Sequence, residues 1–216
     1  MRVLWPLPPS PDRNRVDAGF LDPRYPEWRK ANGLSADEHP GIDVNLAGTS
    51  GDADLGYPVV AVAPGRVVHS ARHRVWGNIV LLEHDLPGLG RTWTQYAHLA
   101  HRAVSEGDWV EAGEPVGSVG KGDPTRPFLA HLHFEVRRSP IPPDAWPGRN
   151  RAYILEHYLD PVAWLKVNYQ PARRYFRVRG VLWAPGRQEL GSVVVNLESP
   201  ELAQIAVRRL PTPERA

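Results

Sequence analysis

Val59-Val60-Ala61-Val62-Ala63-Pro64-Gly65-Arg66-Val67-Val68-His69-Ser70 sets two short apolar runs on either side of a Pro-Gly turn, and its reading decides the fold class. Valine-rich runs suit a pleated strand, and Pro-Gly punctuates any regular element. The same texture recurs outward from this point. Residues 77–84, 92–98, 115–119 and 131–137 are further runs rich in apolar residues and bounded by turn residues. Their short spacing predicts that neighbours pair antiparallel through tight turns, with Pro87-Gly88 marking another turn. Helical signals are confined to residues 151–158 and to the segment after Asp160-Pro161, where Asp160 can cap and Pro161 can take the first helical position. The expected class is mainly β, an antiparallel sheet or sandwich with few short helices.

Composition supports that class. At 216 residues the chain suffices for one well-buried core, and 23 Pro and 19 Gly imply many short elements joined by turns. Cysteine is absent, which excludes a disulfide framework and a thiol nucleophile. The formal charge is +2 with a pI near 9.0; three of the 26 basic residues are Lys, so 23 are Arg. That surface suits an anionic polymer, but no basic run is interleaved with aromatics, so no nucleic-acid partner is expected. No segment has the length and apolarity of a membrane span or a signal peptide. Oligomeric state is not legible.

Three regions are expected. Residues 1–38 read as an irregular arm packed on the core, with a helical turn at 25–31. Residues 39–168 form the main domain. Residues 169–216 form a β-rich extension with strand-like runs at 175–184, 192–197 and 204–209, too small for independence and expected to pack on the body or a neighbouring subunit.

The nine histidines carry the chemistry. In His131-Leu132-His133-Phe134-Glu135-Val136, a strand places His131, His133 and Glu135 on one face and the apolar residues on the other. Two imidazoles on one face serve a single metal, or one binds while the other handles protons; the alternative is a polar face on an edge strand. In His39-Pro40-Gly41-Ile42-Asp43, Pro-Gly forbids a helix, so a turn enters a strand with Ile42 and Val44 inward and Asp43 beside His39. His39, Asp43 and His133 together make the three-ligand set of catalytic zinc; the alternative is a surface turn. A third element, Tyr96-Ala97-His98-Leu99, ends the run at 92–98, where a lone His is ordinarily structural.

These three elements, in this order, resemble the lysostaphin-type (LytM-like) zinc endopeptidases of peptidoglycan. Tyr57-Pro58-Val59-Val60-Ala61-Val62-Ala63-Pro64-Gly65-Arg66-Val67-Val68 is similar to that family's first strand pair, and Gly77-Asn78-Ile79-Val80-Leu81-Leu82-Glu83-His84 to the next strand. Gly107-Asp108-Trp109-Val110-Glu111-Ala112-Gly113-Glu114-Pro115-Val116-Gly117 matches its glycine-punctuated turn. The resemblance covers roughly residues 39–166. It implies an open groove carrying a zinc ion on His39, Asp43 and His133. It implies His131 as general base and acid, and His98 as a residue that orients water or supports the oxyanion. The implied substrate is peptidoglycan peptides at the cell wall, outside the cytoplasm, reached through a leader absent from this sequence or by another route such as a phage particle.

Gly120-Lys121-Gly122-Asp123-Pro124-Thr125-Arg126-Pro127-Phe128-Leu129-Ala130 departs from the Gly- and Ser/Thr-rich turn usual in that family, so one groove wall should differ. Tyr25 lies fourteen residues before His39, too far to match the Tyr some relatives carry, and receives no role. His84 and His101 read as candidates behind the ligands, and His69, His73 and His157 as surface residues. The tryptophans line a groove or fill the core. The rival readings are a non-catalytic or phage-structural protein on this fold, and a lipoyl or biotinyl carrier, which the setting of Lys121 rejects.

Overall fold

A computed structural model describes residues 3–88, 90–122, 124 and 128–169, together with the backbone of two later strands. In chain order the elements are β1 (Asn14–Ala18), α1 (Tyr25–Ala31), β2 (Ile42–Leu46), β3 (Pro58–Val60), β4 (Gly65–His73), β5 (Gly77–Leu86) and β6 (Gly90–Leu99). There follow β7 (His101–Arg102), β8 (Trp109–Val110), β9 (Pro115–Ser118), β10 (Leu132–Arg137), α2 (Arg151–His157), β11 (Tyr158–Leu159) and α3 (Pro161–Asn168). The contacts divide the chain at Pro171; beyond it β12 (Phe176–Trp183) and β13 (Glu189–Leu197) form a two-stranded antiparallel sheet. The run at 204–209 lies outside the described residues.

The class is mainly β, as the sequence indicates. A large antiparallel sheet runs β1-β2-β10-β6-β5-β4-β8, with β11 on β10, and a smaller one runs β3-β9-β7. Alternation along β10 explains the layering. Leu132, Phe134 and Val136 enter a core shared with Val59 and Val116 of the smaller sheet, while His133 and Glu135 lie on the opposite face. The β10 strand sits between β2 and β6 and all six of its residues are buried, so the edge-strand alternative is excluded.

One pairing differs from expectation. The two runs flanking Pro64-Gly65 do not pair; β3 joins β9, whereas β4 joins β5 and β8. Between them, residues 61–63 are fully buried and cross from one sheet to the other. Their backbone groups bond instead to Glu114 O, Leu4 N and the Tyr96 hydroxyl. A two-residue turn cannot impose a hairpin when buried partners satisfy the same donors and acceptors. The arm is also more ordered than its sequence suggests: besides the helix at Tyr25–Ala31, it contributes β1, which pairs with β2. At α3 the Asp160 side chain accepts from the Val162 and Ala163 backbone, the cap expected from sequence.

His84 is fully buried, with Nδ1 donating to Pro64 O at 2.8 Å and Nε2 at 2.7 Å from Thr94 Oγ1. It therefore fixes the crossing turn rather than supporting a ligand. Burial lowers its pKa from 6.5 to about 4, against the opposing pull of the Pro64 carbonyl. Because the unfolded chain accepts a proton that the folded state refuses, stability falls as pH drops from 6.5 toward 4 and the loss levels off below that. At 1.4 kcal/mol per pKa unit the loss from this residue is about 3 kcal/mol. Urea unfolding of the wild type and His84→Gln across that range should show their stability gap narrowing by about this amount as pH falls. Parallel curves would contradict it.

Candidate metal centre and cleft

Strand register assembles the site. Asp43 on β2 is the direct cross-strand partner of His133 on β10, which in turn faces Ala97 on β6. His39 reaches the same point from the turn before β2, where Pro40-Gly41 brings the backbone against β10. A Cβ on Gly41 would lie 2.5 Å from Phe134 O and 3.1 Å from His133 Nε2, so only glycine permits this approach. His98 needs a further device. As the neighbour of Ala97 on a regular strand it would point to the core face. The β5–β6 register slips between the Asn78–Leu99 and Val80–Tyr96 pairs, and His98 takes φ +62°. This bulge re-aims its ring onto the face of His133.

Three donors converge there. His39 Nε2 is 3.1 Å from His133 Nδ1 and 3.3 Å from Asp43 Oδ1, and His133 Nδ1 is 3.0 Å from the same oxygen. Outer partners fix which ring nitrogens face inward. His39 Nδ1 donates to Gly19 O at 3.1 Å, and His133 Nε2 donates to Glu135 Oε1 at 2.9 Å. In the neutral rings, both inward nitrogens then carry lone pairs directed toward a carboxylate oxygen. Such a convergence of three electron-rich atoms is relieved by a cation or a proton. Burial alone would lower His133, yet Asp43 and Glu135 outweigh it and raise the pKa to about 9. Burial alone would raise Asp43, yet His39, His131 and the bond from His133 hold it well below the usual carboxylate range.

The set fits zinc. Zinc–ligand distances of about 2.0–2.1 Å place tetrahedral donors about 3.3 Å apart, close to the three separations found. Two imidazoles and a carboxylate are zinc-type donors, and the residues the sequence singles out as ligands are the ones brought together.

His98 and His131 flank this cluster. Their rings are 4.8 Å apart, and His131 Nε2 lies 3.7 Å from Asp43 Oδ1. Nδ1 of His98 donates to Trp76 O at 3.0 Å and Nδ1 of His131 to Leu129 O at 2.8 Å. Each neutral ring therefore keeps its lone pair on Nε2. Burial, with His131 and His133 nearby, pushes His98 well below its ordinary value, so it is neutral at pH 7.

The cluster opens into a cleft of about 500 Å³. Trp28, Trp76 and Trp146 line it, whereas Trp93 is buried elsewhere and Trp109 is exposed. Phe128, from the atypical stretch before β10, forms part of the wall 4.9 Å from the His98 ring. Sequence reasoning missed the contribution of the arm. Tyr25 on α1 stacks on His39 at 4.3 Å, and Arg29 lies 5.1 Å over Trp146 while pairing with Asp37. The clustered aromatics Tyr25 and Trp28 on a short helix were the available signal.

The profile of peptidase family M23 matches residues 37–145, just over half of the chain. The chain belongs to peptidase family M23. Lysostaphin of Staphylococcus simulans is 34% identical over 106 residues, 48% of this chain and 19% of lysostaphin. Its solved catalytic domain superposes with a TM-score of 0.51 at 24% identity, covering 70% of this chain and 92% of that domain, a likeness of fold. The peptidoglycan DD-endopeptidase ShyB of Vibrio cholerae serotype O1 is 33% identical over 111 residues, 50% of this chain and 24% of ShyB. The murein hydrolase activator EnvC of Escherichia coli K12 is 36% identical over 100 residues, 45% of this chain and 22% of EnvC. The match thus spans less than a quarter of the length of each of these curated relatives.

The tight seat of Gly41 gives a direct test. Gly41→Ala should push β2 from β10, cost about 1–3 kcal/mol of stability and lower bound zinc in a chain that still folds. Thermal unfolding and metal analysis of the purified variant measure both; unchanged zinc content would show that the close approach does not set the site.

Proposed function

We propose that this M23 chain is a zinc-dependent endopeptidase that hydrolyses peptide bonds of bacterial peptidoglycan outside the cytoplasm. The observation that carries the reading is the meeting of three zinc-type donors with two further histidines, whose lone pairs face one cleft. The peptidoglycan substrate is supported by the name of ShyB.

His39, Asp43 and His133 would hold the zinc, which when bound polarises the scissile carbonyl and lowers the pKa of water. His131 takes the proton from the attacking water on Nε2, because its Nδ1 hydrogen is committed to Leu129 O. The resulting imidazolium can then pass that proton to the leaving amine. His98 accepts on Nε2 from the same water and fixes its orientation. Tyr25, packed on His39, walls the site from the arm side, and the tryptophans supply flat apolar surface for the peptide.

A non-catalytic regulator or phage-structural protein is the other reading, supported by the 36% identity over 100 residues to EnvC, a protein named as an activator. Asp43, His98, His131 and His133 line one cleft with His39 buried against His133, and the presence of all five favours catalysis. Release of soluble peptides from purified peptidoglycan, measured alongside zinc content, tests the choice. His133→Ala should lose both zinc and activity. His131→Ala should keep its zinc and lose about 10²–10⁴-fold in rate. A zinc-loaded wild type that cleaves no peptidoglycan would favour the regulatory reading.

A further inference from the structure

We propose that His69 and His73 form a second site for a divalent transition metal ion, at the rim of the cleft that holds the first. The two residues lie on one face of β4 with only Ala71 between them on that face. Four residues of strand separate their backbones by about 13 Å, yet their Nε2 atoms meet at 2.8 Å, with ring centres 5.0 Å apart. Both rings must therefore lean inward over the small Ala71 side chain. A larger side chain there would hold them apart.

The pair repeats features of the centre already described. There, the inward nitrogens of His39 and His133 are 3.1 Å apart, and the outer nitrogen of His133 faces the Glu135 carboxylate. Here, the outer nitrogen of His73 faces the Asp144 carboxylate at 3.6 Å. Asp144 is itself held in place, since Trp76 Nε1 donates to its backbone carbonyl at 3.2 Å. A carboxylate behind an imidazole fixes the tautomer and raises ligand basicity.

Charge and burial also suit a cation. Burial and the neighbouring His73 lower His69 below its ordinary value, while Glu106 and Asp144 pull the other way and Arg102 opposes them. Two carboxylates thus act on His69 against one guanidinium, and Asp144 also lies beside His73. With His73 Nδ1 turned to Asp144, His69 Nε2 donates to His73 Nε2, so a metal ion would take the place of that shared hydrogen. Both rings remain partly exposed, so an ion can enter and keep water in its remaining positions. Two imidazoles select zinc, nickel, cobalt or copper over calcium and magnesium, which require oxygen donors. With two protein ligands against three, this site is the weaker. Opening the donors from 2.8 Å to the roughly 3.3 Å of a tetrahedral shell needs small side-chain rotations and transfer of the His69 Nε2 hydrogen to its own Nδ1 through solvent.

His73 and Asp144 line the same cleft as His98 and His131. An ion on the pair therefore adds positive charge and bulk where the peptide would lie. Excess zinc should lower turnover, a consequence that rests on the peptidase reading.

The test is equilibrium dialysis of the metal-stripped full chain against rising Zn²⁺. Wild type should bind two ions per chain, and His69→Ala/His73→Ala one. Asp144→Asn should weaken the second ion about tenfold. In the wild type itself, ¹⁵N-histidine NMR should show the second equivalent moving the His69 and His73 ring nitrogens, which needs no variant to fold. One ion at saturation, or a second ion indifferent to these substitutions, overturns the proposal. Zinc inhibition of cleavage should weaken in the double variant; inhibition that persists there removes the link to the cleft. A chain that binds two ions in dialysis but cleaves nothing when loaded with one equivalent of zinc would uphold the site and reject the peptidase reading.

Discussion

A buried ion pair between Glu135 and Arg137 is the constraint on which the site depends. Glu135 Oε1 accepts from His133 Nε2, and its other oxygen accepts from Arg137 Nε at 2.7 Å; all three side chains are essentially inaccessible. Arg137 spends its remaining donors on Gln95 Oε1 and the carbonyls of Ile141, Pro142 and Pro143. One guanidinium therefore couples the inner ligand to a central strand and to the loop that delivers Asp144 and Trp146 to the cleft. Because both Glu135 oxygens and all five Arg137 N–H groups are bonded, the desolvation cost of the pair is offset, although the buried Gln95 Nε2 has no partner among the described residues; removing one member would strand a buried charge at about 3–5 kcal/mol.

The same economy governs the backbone. Cross-strand register alone makes Asp43, His133 and Ala97 neighbours across three strands, so two of the three converging donors follow from pairing without any loop. The two exceptions to regular pairing are then informative. The close turn at Gly41 brings in His39, and the bulge before Leu99 turns His98 toward it. A non-glycine residue at positive φ is strained, and such strain persists where surrounding contacts over-determine it. For His98 those contacts are two bonds to one carbonyl, from its own backbone N and from Nδ1 to Trp76 O.

Local signals were therefore legible and non-local ones were not. Alternation in residues 131–137 and the Pro-Gly before Asp43 indicated which faces His133 and Asp43 occupy, because each depends on a few adjacent residues. The cap at Asp160 was legible for the same reason. The partner of β3 was not, since residues 61–63 bond to groups far away in sequence that no dipeptide announces. Nor was the packing of α1 on the site, which depends on Tyr25 stacking across fourteen residues of chain. His69 and His73 read as surface residues because four strand positions separate them; only the lean over Ala71 brings them together.

Hydrogen-bond bookkeeping constrains the proposed chemistry more tightly than proximity does. A carbonyl only accepts, so the Nδ1 atoms of His39, His98 and His131 must each carry hydrogen when bonded to Gly19, Trp76 and Leu129. For His39 this frees Nε2 for the metal. For His98 and His131 it means that the neutral ring cannot donate toward the cleft. Oxyanion stabilisation by either histidine therefore has to follow proton uptake. The low pKa of His98 disfavours that uptake, since burial and its two histidine neighbours resist another positive charge. His131, closer to the Asp43 carboxylate, has a counter-charge within 3.7 Å for the imidazolium it would form. The geometry thus separates two residues that composition cannot distinguish: His131 suits proton transfer, and His98 suits holding water as a neutral acceptor.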